Sequence, residues 1–154
     1  MKRRLTILTG LAIVVIGIAT SIVIACFHSE NYALDQSNFT TNALVLVEKH
    51  TSLRLPVGSR GLNMLYRGFQ TDPVFVAKIE ISSDAETLMK SQIEKITDED
   101  YHPIGALSET TSWWKPVKND ILIERKYTVD SSFAHLILCR ENGQSVLYVE
   151  SISF

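Results

Sequence analysis

Cysteine is almost missing from this chain: two in 154 residues, Cys26 and Cys139. Two thiols so far apart build neither a disulfide framework nor a zinc site, which needs three or four converging ligands. Histidine adds nothing to that set, because His28, His50, His102 and His135 are scattered with no partner at ligand spacing. Glycine and proline are sparse, at seven and four. Val57-Gly58-Ser59-Arg60-Gly61 carries two of the glycines but lacks the Gly-Lys-Ser/Thr ending of a phosphate loop, and no serine sits in a Gly-x-Ser-x-Gly elbow. Asp98-Glu99-Asp100 lacks the alternating oxygen ligands and the glycine of a calcium loop, and reads as a solvated acidic turn. No catalytic residue, metal site or cofactor is read from these residues.

A basic surplus is missing too. The formal net charge is −2, and Lys2, Arg3 and Arg4 all precede the first apolar run. The remainder then holds 12 basic against 17 acidic side chains, a net −5. Nucleic acid demands basic patches, so it is excluded as a partner.

What the chain does have is one long uncharged stretch, Leu5 to Phe27, directly behind those three cations. As a helix it reaches roughly 34 Å, enough for a hydrocarbon core of about 30 Å. The basic tip stays cytoplasmic, which places the C-terminal bulk outside, in a bacterium in the periplasm or on the cell surface. A retained single-pass anchor is the reading this length favours, since secretory apolar regions run only about 7–15 residues. Two alternatives stay open. Val23-Ile24-Ala25-Cys26 resembles a lipobox, with Cys26 as the candidate lipidation site, and cleavage after Ala25 would release the domain.

Residues 1–29 are therefore expected to be tip and membrane segment, 30–41 a polar juxtamembrane linker, and 42–154 one extracytoplasmic domain. Asn42 to Ser52 reads as a helix that Thr41 could cap. Gly61–Phe69 and Val74–Ser82 alternate as strands, the second with Phe75, Ala77, Ile79 and Ile81 on one side and Lys78 and Glu80 on the other. Gln70–Pro73 turns between them. Ser83-Asp84-Ala85-Glu86 has the spacing of a capping box ahead of an amphipathic helix with Ala85, Leu88, Met89, Gln92, Ile93 and Ile96 on its stripe. Thr97 to Asn119 is irregular. Three strands follow, Ile121–Val129, Phe133–Glu141 and Gln144–Ser153, the last two joined by Asn142-Gly143, a type I′ signal. That turn predicts the pairs Glu141 with Gln144, Cys139 with Val146, and Ile137 with Tyr148.

The fold expected is α+β: an N-terminal transmembrane helix, then two layers, with a mostly antiparallel sheet of about five strands under one or two helices. Trp113-Trp114-Lys115-Pro116 is the unusual feature of the long loop. Neighbours in extended chain point opposite ways, so one indole can enter the core while the other faces out. Trp114, Lys115 and Tyr101 are the candidate partner-binding residues, against the plainer reading that both rings close the end of the sheet. The layout resembles that of small membrane-tethered immunity or inhibitor proteins, a resemblance of architecture that carries no functional residue. A non-enzymatic interaction module bound to a protein partner is the first expectation. A small-ligand domain with an apolar pocket is the alternative.

Overall fold

A computed structural model describes residues 31–68, 73–100 and 107–154. The membrane segment with Cys26, the Gln70-Thr71-Asp72 turn and Tyr101 lie outside the described residues. Among the described residues no helix is long and apolar enough to cross a membrane.

The domain is α+β and built on one six-stranded sheet. Its strands are β1 (Tyr32–Asp35), β2 (Arg60–Arg67), β3 (Val74–Ile81), β4 (Ile121–Val129), β5 (Ser132–Glu141) and β6 (Gln144–Ser153). They lie in the order β1-β2-β3-β6-β5-β4, every neighbouring pair antiparallel. Helices α1 (Thr41–Thr51) and α2 (Glu86–Glu94) cover one face. The alternation in β3 explains why: Phe75, Ala77, Ile79 and Ile81 are fully buried against Val47 of α1 and Met89 and Ile93 of α2. Strand β6 is central, and its run from Ser145 to Ser151 is buried on both faces.

Local signals set most boundaries. The hydroxyl of Thr40, one residue earlier than Thr41, caps α1 by accepting from the amide of Ala43 at 3.3 Å. The β5–β6 hairpin has the register that its turn dictates, with Glu141 opposite Gln144, Cys139 opposite Val146 and Ile137 opposite Tyr148. Asn142 and Gly143 both take positive φ, 50° and 81°.

Four expectations need correction. The stretch read as linker supplies a sixth strand: β1 pairs with β2 from Tyr32–Tyr66 to Asp35–Asn63, and the Tyr32 and Tyr66 rings stack 4.7 Å apart. The capping box does not form. Residues Ser83–Ala85 make a 3₁₀ turn without a side-chain cap, and Glu86 instead binds Arg140 and Ser145. A bidentate guanidinium outcompetes a neutral backbone amide for a carboxylate. The acidic turn is not merely solvated: Glu99 donates its amide to the Lys126 carbonyl at 2.7 Å and Asp98 accepts from the Lys126 amide at 2.7 Å, so the turn covers the open edge of β4. The long loop is also partly regular, holding a one-turn helix α3 (Leu107–Thr110) and a 3₁₀ turn at Lys118–Asp120.

Candidate functional site

The face of the sheet away from α1 and α2 carries the chemistry. A break in register between Ile121 and Ile123 matters here. Strict alternation would put both isoleucines on one face. The irregularity turns Ile121 to this second face and leaves Ile123 in the helix-side core. Ile121 then joins Ile137, Cys139, Val146 and Tyr148 in a small apolar cluster, and Trp114 packs onto it. The Trp114 ring stands edge-on to Tyr148 at 5.2 Å and is tilted against His135 at 6.1 Å. Trp114 is half-buried and covers the sheet, its neighbour Trp113 is half-buried as well, and Lys115 is exposed.

Beneath Trp114 lies a polar network. The Tyr148 hydroxyl donates to Glu141 Oε1, and Lys78 Nζ meets Glu141 Oε2 at 2.7 Å while standing 5.1 Å from the Tyr148 ring centre. Burial, then the bond to Glu141, pushes the Tyr148 phenol well above the usual range, so it remains a donor. Cys139 is a free, fully buried thiol, pushed up chiefly by that burial, and so behaves as a small apolar residue.

Glu150 is only 1 % exposed. A carboxylate so deep needs strong partners. It accepts from the Ser108 amide at 2.9 Å and the Ser108 hydroxyl at 2.7 Å, at the start of α3. Glu150 and Trp114 thus fix the two ends of one segment onto the sheet. Along its outer side runs an open groove of about 700 Å³, lined by Ser108, Thr111, Ser112, Trp114, Lys115 and Lys118 among others.

Sequence reasoning singled out Trp114 and Lys115 and passed over Ser108, Glu150, Tyr148, Glu141 and Lys78. A signal for three of them existed. Tyr148 and Glu150 alternate with Leu147 and Val149 in a strand that the hairpin register makes central, so polar groups there need buried partners. Glu141 closes the same strand pair.

A second polar cluster lies on the helix side, at the end of the sheet where β4 turns into β5. His50 Nδ1 is 3.4 Å from Ser132 Oγ, which in turn lies 2.9 Å from Ser153 Oγ. The His50 ring stands edge-on to Phe75 at 5.8 Å. Burial first, and the charge of Lys49 second, hold the His50 imidazole below the usual range, so it is neutral at pH 7. Among the described residues no group of His, Cys, Asp or Glu could hold a metal ion.

Comparison of the chain with protein-family models, with curated proteins and with solved structures gives no match.

Proposed function

We propose that the chain is a membrane-tethered, extracytoplasmic interaction module without catalytic activity of its own, whose partner is a protein that docks along residues 108–118. The observation that carries this reading is the groove beside Trp114. It combines a half-buried indole, a row of hydroxyls and the two cations Lys115 and Lys118, on a segment fastened to the sheet through Glu150 and Tyr148. A fixed scaffold that presents an aromatic anchor within a polar rim is what a docking site needs. Leu5–Phe27 serves as the tether, or Cys26 does if it is lipidated.

Site-specific photo-crosslinking in the native membrane tests both parts. The full-length protein should stay in the pellet after a carbonate wash. A Cys26→Ser variant of unchanged mass and retention assigns the tether to the apolar segment. Cross-linkers at positions 115 and 118 should trap one discrete partner, and those at 45 and 57 should not. Recovery in the wash supernatant would remove the tether. Equal trapping from all four positions, or none, would remove the docking site.

A further inference from the structure

The second polar cluster belongs to a cleft of about 330 Å³ that the docking surface does not use. Five parts of the chain converge on it: the end of α1, the end of β2, Pro73 ahead of β3, the β4–β5 turn and the end of β6. Its apolar lining comes from Leu46, Tyr66, Pro73 and Val129. Its polar lining is richer, with Lys49, His50, Asp130, Ser132 and Ser153. Among the described residues one cation and one carboxylate offset each other, so no net charge there selects an ion. The remaining polar groups are hydroxyls and a neutral imidazole, each able to both donate and accept.

One detail leaves room for an occupant. His50 lines the cleft and uses Nδ1 toward Ser132, and its Nε2 has no hydrogen-bond partner among the described residues.

A serine beside a histidine is also the start of a nucleophilic pair. Here the contact is 3.4 Å, and the Ser132 hydroxyl is already engaged with Ser153. The arrangement suits recognition better than attack.

We propose that this cleft binds a small, neutral, hydroxyl-rich molecule of about monosaccharide size, with Ser132, Ser153 and His50 bonding its hydroxyls and Tyr66 and Leu46 facing its apolar side. Asp130 and Lys49 at the rim accept from and donate to the outer hydroxyls. The proposal is independent of the docking surface on the opposite face.

The test is a titration of full-length protein in lipid nanodiscs, followed through the histidine ring resonances. The His50 signal is identified by its loss in His50→Gln. Glucose, N-acetylglucosamine and myo-inositol are the probes, with acetate and phosphate as ionic controls. At least one of the three polyols should shift the His50 signal saturably. Ser132→Ala and Asp130→Asn should each weaken that binding roughly three- to tenfold. Asn tolerates the positive φ of Asp130, 52°, so the turn survives that change. Val57→Ala, at a fully exposed position that does not line the cleft, should leave the titration alone. A response only to acetate or phosphate would overturn the ligand class. No saturable shift with any probe, or an unchanged affinity in Asp130→Asn and Ser132→Ala, would overturn the site.

Discussion

The ring of Phe39 occupies the space that Gly61 leaves empty. A β-carbon built on Gly61 would stand inside that ring. Gly61 is the second residue of β2, beside a register shift, and Phe39 lies between β1 and α1. The contact therefore draws the segment between β1 and α1 onto the sheet.

Gly61→Ala should destabilise the domain by about 1–3 kcal/mol, because the ring must leave a filled site. The cost should shrink in a Phe39→Ala background, where the space is free. A double-mutant cycle by thermal melting measures this. Strictly additive effects would show that Phe39 does not occupy that space.

The same contact explains what the residues did and did not reveal. Val74–Ile81 and the β5–β6 register were legible because alternation and an Asn-Gly turn act locally. Strand β1 was not. It has four residues, only Tyr32 and Leu34 pack inward, and the polar run from Gln36 to Asn38 follows it. Its existence depends on β2 and Phe39, not on its own pattern. Glu86 misled for a related reason: its spacing from Ser83 fits a cap, while its partner Arg140 is 54 residues away. At the candidate site, Trp114 stood out by composition. Glu150 did not, since nothing near it in sequence names Ser108.

The hairpin turn gives a cleaner measure of backbone strain. Nothing lies within 4 Å of a β-carbon built on Gly143, so a substitution there meets no steric neighbour. Gly143→Val should still cost about 1 kcal/mol or more, because a β-branched residue resists φ of 81°. Gly143→Asn should cost less, since Asn visits that region readily. Equal melting temperatures for the two variants would contradict a turn limited by its dihedral angles.

Glu86 makes stability depend on acid. The Arg140 guanidinium, then the Ser145 hydroxyl, lower its carboxyl from an ordinary 4.5 to about 2. A carboxyl lowered on folding contributes stability that is complete above pH 4.5 and fades as pH falls toward 2. Arg140 is largely exposed, so solvent screens the pair. Glu86→Gln should thus cost only about 1 kcal/mol at neutral pH. Urea midpoints of parent and variant should converge across that acid window. A gap that persists unchanged to its lower end would assign the loss to packing.

Trp114 decides how far the proposed docking face is also structural. Its ring is half-buried, in contact with Tyr148 and His135, and it roofs the Lys78–Glu141–Tyr148 network. A fully buried tryptophan replaced by alanine costs about 3–5 kcal/mol, so half-burial points to about 2 kcal/mol. The network would gain water but keep its direct bonds, because none of them runs through the indole. Trp114→Ala should therefore lower the melting temperature moderately while the fold persists, and cross-linking to the partner should fall more than the folded fraction does. Trp114→Phe should restore most of the stability, since a ring still roofs Tyr148, and less of the partner capture, since the indole N–H is gone. A variant whose capture falls only in step with unfolding would make Trp114 a roof for the sheet and leave Lys115 and Lys118 to carry the docking.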